Sequence, residues 1–525
     1  MSETASPRPR APSDGDPPPE RTAPVEIIVV ALGAVALGVV MRFVTRSPLW
    51  LDEALSVNIA RLPLGDIPAA LRHDGHPPLY YFLLHGWMQA FGTTDLAVRA
   101  LSGLLAVLSL PVAWLVGRRR GGPLLGWLFV GVLALSPFAL RYATETRMYS
   151  LLVVLILMGY LVLDDVVRRG RGGLGRLVAL ALISGVLMLT HYWSIWLLGA
   201  VGLVLVWRWR RGPLEARAAA FRAAVAVAAG GALFLPWVPS FLYQAAHTGT
   251  PWAGSQRPTY VVAATLRDFG GGDFRDAELV GGLLLILVLL GLFGRAVNAR
   301  HIDLDLRTRS PFRAEATVVA LTWGIGVAVI LATNSAYASR YASVFFPLVV
   351  LVAAGGITCF VSRPARVGVF AGFLTLCLLG AYWNVTYPRT QGRVAAQKIN
   401  DAASSGDVVL FCPDQLGPAF SRSLRTDVDR LVYPTLGSPD RVDWVDYAAR
   451  NRAADPAAIS AEVVRRAGNH RIFLIWQADY RTFEGQCEAV FNVLGAARPG
   501  SVTLVASGGK SYFEPASVTM FPPRS

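Results

Sequence analysis

Eleven stretches of this chain stay apolar for as long as a membrane crossing requires, roughly 17–25 residues, and nothing else in the sequence limits its fold so strongly. They lie near 25–44, 97–117, 122–140, 147–167, 174–190, 193–209, 219–240, 277–297, 315–333, 342–361 and 366–385. Lipid offers the backbone no hydrogen-bond partners, so runs of this length read as transmembrane helices. With 54% hydrophobic and only 16% charged residues, the chain holds more apolar surface than a soluble core could hide.

A net charge of +14 would point to nucleic acid in a soluble protein. Here the arginines gather in turns at 118–120, 168–176, 208–211, 295–313 and 363–366. All of these fall on one side if the N-terminus is cytoplasmic, which is the positive-inside pattern, so no nucleic-acid partner is expected. The fold class read here is mainly α: a polytopic helical bundle of the bacterial plasma membrane with a small C-terminal α/β domain outside the cytoplasm. Residues 1–24, rich in Pro and charge, read as a disordered cytoplasmic tail. Residues 25–389 form the transmembrane part, with an outer loop at 45–96 in which 77–91 reads as a juxtamembrane helix. The first apolar run has no cleavage site after it and reads as a retained anchor.

Residues 390–525 switch to short β-rich runs at 407–411, 471–476 and 501–506, with helical stretches at 457–467 and 484–494 between them. Cys359 and Cys377 fall in spans and read as packing residues. Cys412 and Cys487 lie on the side where thiols oxidise, which makes them a candidate disulfide.

The residues able to carry chemistry sit at the outer ends of the runs. Asp52 and Glu53 open the first outer loop. They point in different directions if the segment is helical, so they are not expected to share one role. His73-Asp74-Gly75-His76-Pro77-Pro78 follows, its prolines fixing the chain so that His76 is held. A metal site is the alternative reading of that cluster. Arg141, Glu145 and Arg147 lie on the side that the charge rule disfavours, where they pair with one another or bind an anion. His191 caps another run among aromatics. Arg340-Tyr341 precedes a span containing Pro347, at a depth where a guanidinium could grip the phosphate of a lipid whose tail stays in the membrane.

In order along the chain, Asp52-Glu53, His76-Pro77-Pro78-Leu79, Glu145 with Arg147 and Tyr149, and Arg340-Tyr341 resemble the membrane glycosyltransferases of the GT-C fold. The likeness is to the group of protein O-mannosyltransferases and aminoarabinose transferases (glycosyltransferase family 39-like), over roughly residues 25–385. The resemblance implies an inverting transfer of a mannose- or arabinose-like sugar from a polyprenyl-phosphate donor. It casts Asp52 as general base, with Glu53 as the second catalytic carboxylate, orienting the site or binding sugar hydroxyls. Arg340, Arg147 and His191 would then bind the donor phosphate, and His76, Tyr80, Glu145 and Tyr341 the sugar or acceptor. No cofactor is expected, since that group works without a divalent metal. The acceptor is a cell-envelope glycolipid, polysaccharide or protein, and the large inserted sugar-binding domain of protein O-mannosyltransferases has no counterpart here.

A transporter or flippase for lipid-linked sugars, or a non-enzymatic envelope assembly protein, are the competing readings. Transporters place ionisable groups at mid-membrane, and these runs are nearly free of charge at their centres. The transferase reading requires that Asp52 and Arg340 share one cavity.

Overall fold

The computed structural model describes residues 22–251, 253–307, 310–424 and 427–524, so most of the tail read at 1–24 lies outside the described residues. The chain is mainly helical. Among the described residues five helices are long and apolar enough to cross a membrane, and shorter apolar helices such as Val25–Met41, Leu174–Thr190, Ala277–Phe293 and Phe346–Thr358 accompany them.

The longest helix, Asp95–Leu135, is two antiparallel limbs that reverse at Gly121 and Gly122. Gly122 has φ 78°, a conformation that side-chain-bearing residues avoid, and Pro123 follows it at a helix start, where its missing N–H costs nothing. A Cβ on Gly117 would come within 2.8 Å of Gly126, so the limbs touch backbone to backbone. Two separate apolar runs thus correspond to this one helix. The run at 219–240 is likewise broken, near Gly230 and Pro236, and its helical continuation Val238–His247 extends past the expected boundary.

At one end of the bundle the arginine-bearing turns meet acids. Glu315 Oε1 accepts from Arg120 Nε at 2.9 Å, Arg168 Nη2 at 2.8 Å and the Tyr160 hydroxyl at 2.6 Å. Arg168 follows helix Tyr149–Val167 and Arg147 precedes it. The 19 residues of that helix span about 28 Å at 1.5 Å per residue, so the other end of the bundle is where Arg147 lies.

At that other end residues 45–96 fold into helices Leu51–Ala60, Ile67–Asp74 and Leu79–Phe91. Over them sits the C-terminal domain. A small hairpin of β1 (Gly294–Ala296) and β2 (Ile302–Leu304), not anticipated from the sequence, precedes it in the chain. The domain's sheet contains β3 (Val408–Cys412), β4 (Asp429–Val432), β5 (Ile472–Trp476), β6 (Val502–Val505) and β7 (Ser517–Phe521), in the order β4-β3-β5-β7-β6. The first three are parallel, and β7 runs antiparallel to both β5 and β6.

Helices cover both faces. Val409, Phe411, Phe473 and Ile475 pack with helix Gly392–Ala402, while Val408, Leu410, Ile472 and Leu474 pack with Pro456–Ala467 and Gln486–Ala497. Burial on both faces explains why β3 and β5 read as continuous apolar runs rather than alternating ones. Cys412 and Cys487 form a disulfide on the second face.

The domain does not stand apart from the membrane part. Trp50, Leu51 and Leu55 belong to the same buried cluster as Val408, Leu410 and Cys412. The Trp444 N–H donates to the His73 carbonyl at 2.9 Å, Asn58 Nδ2 to the Asp440 carbonyl at 2.7 Å, and Arg422 pairs with Asp95 at 3.2 Å.

Candidate functional site

Helix Leu51–Ala60 begins with both acids in its first turn, where the positive helix terminus favours them. Their fates then diverge, because neighbours on a helix point about 100° apart. Glu53 turns inward and is fully buried. Arg99 grips it with two bonds, Nε to Oε1 at 2.7 Å and Nη2 to Oε2 at 2.6 Å. The Thr146 N–H donates to Oε1 at 3.0 Å, and Arg389 Nη1 lies 3.5 Å from Oε2. Burial alone would raise this carboxyl, but Arg99 and Arg389 hold it at about 2. Arg389 also donates to the Thr144 carbonyl at 2.7 Å, and Arg99 to the Ser47 carbonyl at 2.5 Å. Glu53 therefore ties together the outer loop, two helix ends and the start of the soluble domain.

Asp52 turns the other way, into a cavity of 330 Å³ that it lines together with Asp74, His76, Arg147, Arg340 and Tyr341. Arg340 Nη1 lies 3.3 Å from Asp52 Oδ2, and Arg147 Nη2 lies 3.8 Å from the same oxygen. Arg147 is itself held in place. Its Nη2 donates to His76 Nε2 at 2.8 Å and its Nη1 to Ser56 Oγ at 3.3 Å. A guanidinium cannot accept, so His76 Nε2 is the acceptor and Nδ1 carries the hydrogen. Nδ1 donates to Asp74 Oδ2 at 2.8 Å, which also accepts from the Tyr81 hydroxyl at 2.9 Å. An Asp74–His76–Arg147 chain thus aims one guanidinium at the cavity.

The expected site residues sort into two groups. Asp52, Arg340, Arg147, His76 and Tyr341 meet around the cavity. Glu53, Tyr80 and Glu145 do not line it. Glu53 is the buried clamp, and Glu145 is buried against Arg141 at 2.7 Å. Tyr80 is fully buried, its hydroxyl 2.9 Å from Ser102 Oγ, which in turn donates to the Arg147 carbonyl at 3.1 Å. Tyr80 and Glu145 thus lie behind the Arg147 turn rather than on the cavity wall.

His191 also lies outside the cavity lining. Its Nδ1 accepts from the Trp193 N–H at 3.1 Å, and its ring centroid is 5.6 Å from that of Tyr341. Burial, with His76 and the two arginines nearby, pushes it well below the usual histidine range, so it is a neutral ring behind Tyr341. The metal alternative for the His73 cluster fails on geometry. His73 pairs outward with Asp443 at 2.9 Å while His76 turns in to Asp74, and among the described residues no group of three or more His, Cys, Asp and Glu could hold an ion.

Sequence reasoning missed Arg99, Arg389 and the entire roof of the cavity. An arginine at the edge of the run at 97–117 was a usable signal, since a guanidinium there needs a partner. The roof residues Gln415, Trp444, Gln477, Tyr480, Phe513 and Glu514 come from the soluble domain, and no local pattern marks them.

Residues 75–238 match the family model described as dolichyl-phosphate-mannose-protein mannosyltransferase. Among solved structures, the chain is similar to ArnT from Cupriavidus metallidurans in the apo state, with a TM-score of 0.58 at 13% identity, covering 94% of this chain and 97% of that one. The same protein bound to undecaprenyl phosphate aligns with a TM-score of 0.53 at 15% identity, over 94% and 97% of the two chains. The oligosaccharyltransferase AglB from Archaeoglobus fulgidus, in complex with an inhibitory peptide and a dolichol-phosphate, aligns at 0.50 with 12% identity, over 89% and 72%. These likenesses establish a GT-C-like fold. No curated protein matches in sequence.

Proposed function

We propose that the chain is a polyprenyl-phosphate-sugar-dependent membrane glycosyltransferase, a reading supported by the match of residues 75–238 to the dolichyl-phosphate-mannose-protein mannosyltransferase model and by the GT-C-like fold, and that the cavity at Asp52 is where the sugar is transferred. The observation that carries this is the meeting of Asp52, Arg340 and Arg147, drawn from three distant parts of the chain, at one cavity wall. The donor's phosphodiester competes with Asp52 for the two guanidiniums. Donor binding is thus what releases the carboxylate to act as a base.

An acceptor hydroxyl then attacks the anomeric carbon on the face opposite the phosphate, passing its proton to Asp52. The carbon–oxygen bond to phosphate breaks as the new one forms, with inversion. Polyprenyl phosphate leaves with the bonding pair, and Arg340 and Arg147 stabilise its growing charge. Glu53 fixes the helix that presents Asp52, and the Asp74–His76 pair fixes Arg147. In this reading the bundle crosses the membrane eleven times from a cytoplasmic N-terminus, and residues 390–525 lie outside the cytoplasm. The sugar is mannose- or arabinose-like and the acceptor is part of the cell envelope.

The test is purified protein in lipid nanodiscs with labelled polyprenyl-phosphate mannose and arabinose and a membrane lipid extract. Wild type should consume one donor and form a product of inverted configuration. Asp52→Asn should bind that donor without turning it over. If wild type consumes neither donor, or Asp52→Asn turns it over normally, the proposal fails.

A further inference from the structure

The soluble domain directs its own ligand crevice at the cavity that holds Asp52. β3 and β5 are parallel neighbours and β4 lies on the far side of β3, so the order of strands reverses at β3. In open α/β sheets, ligands bind beyond the carboxyl ends of the strands at such a reversal. Those ends are Cys412 and Trp476. Gln415 and Gln477, just beyond them, both line the cavity.

The roof is built rather than incidental. The Tyr480 hydroxyl donates to Gln415 Oε1 at 2.6 Å, and Gln415 Nε2 donates to the Tyr447 hydroxyl at 3.1 Å. The amide is therefore fixed before anything binds. Glu514 is 8% exposed, and its Oε2 is a buried oxygen with no hydrogen-bond partner among the described residues. A buried polar atom left unpaired costs about 1–3 kcal/mol, which a hydroxyl on a bound molecule would offset. Burial, and Asp52 nearby, push this carboxyl up to about 8, so at neutral pH it can donate as well as accept a hydrogen bond.

Flat aromatic faces beside fixed amide and carboxyl groups suit a sugar ring, which presents a C–H face to an aromatic and hydroxyls to polar side chains. A peptide recognised by strand addition needs an edge strand. The edge strands β4 and β6 contribute no residue to the cavity.

We propose that the α/β domain forms the acceptor half of the active site: it holds a carbohydrate against Trp444 and Tyr480, with Gln477 and Glu514 on its hydroxyls, and presents one hydroxyl to Asp52. This rests on the transfer reading above. It is tested with the full chain in nanodiscs, using whichever of the two labelled donors is consumed. Short mannose and arabinose oligosaccharides are compared as acceptors with peptides containing Ser and Thr. An oligosaccharide should be glycosylated and the peptides should not. Gln477→Ala and Trp444→Ala should each raise the acceptor KM on the order of tenfold, the effect of losing about 1.4 kcal/mol, while the donor KM moves by less than about twofold. Gln477 is only half-buried, so its variant reports even if Trp444→Ala does not fold. Glycosylation of peptides alone, or an acceptor KM unchanged in both variants, overturns the inference while leaving the transfer reading intact. Absence of donor consumption by wild type overturns both.

Discussion

The two ends of helix Tyr149–Val167 each carry acids among arginines, yet they are built for opposite ends. At the Arg168 end, a single oxygen of Glu315 takes three donors at 2.6–2.9 Å, and the clasp joins three helices. At the Arg147 end, Asp52 meets its two guanidiniums at 3.3 and 3.8 Å and opens on a 330 Å³ cavity. An oxygen already taken up by three donors at hydrogen-bond distance is committed to structure. One held at longer range beside a cavity can exchange its partner for a ligand. Asp52 and Glu53 repeat the contrast within a single helical turn.

The comparison predicts different consequences for each acid. Asp52→Asn preserves shape and folding and should lower transfer by about 10²–10⁴-fold; a loss of only a few-fold in a turnover assay would remove Asp52 from the mechanism. Glu53→Gln should act on stability instead. It leaves Arg99 and Arg389 buried against a neutral group, at a cost of about 3–5 kcal/mol, read as earlier thermal unfolding in detergent. The clamp also has a pH signature. Glu53 is held at about 2 against an ordinary value of 4.5, so its contribution is complete above 4.5 and fades as pH falls toward 2. Unfolding profiles of wild type and Glu53→Gln should therefore converge on acidification.

Arg340→Ala should lower kcat/KM for the donor by about 10²–10³-fold, with Arg340→Lys recovering part of it. Equal activity of wild type and Arg340→Ala would place phosphate binding elsewhere. The smallest effect belongs to the opposite end. Glu315→Gln should cost about 1–3 kcal/mol of stability and leave the donor KM in place; a change in that KM would show that the two ends communicate.

What the sequence made legible follows from what each feature depends on. Apolar run length is a local property, and most helices overlap the runs it marked, apart from breaks set by Ser136-Pro137 and by the stretch from Gly230 to Pro236, a strand at Gly294–Ala296 inside the run at 277–297, and the unmarked helix Pro258–Gly270. The meeting of Asp52, Arg147, His76, Arg340 and Tyr341 was anticipated because polar groups at one membrane depth have few places to go. The partners that bury Glu53 and the places of Tyr80 and Glu145 behind the cavity wall were not, since whether a side chain faces a cavity or its supporting wall depends on helix phase and on partners such as Arg99 and Arg389, far away in the chain. β4 has only four residues and β7 lies between prolines, too little for period-two patterning to stand out. Their pairing is dictated by β3 and β5.

Arg389 sits where the last membrane helix hands over to the soluble domain, and its guanidinium reaches back to Glu53 and to the turn at Thr144. The turn that holds Glu53 is thus completed by a residue that lies beyond all the helices it stabilises. Cutting the chain before it would strip a counter-charge from a carboxylate that has no water to fall back on. The bundle accordingly does not complete its own buried ion pairs: helical and α/β parts share a keystone, and neither half should fold fully when expressed without the other.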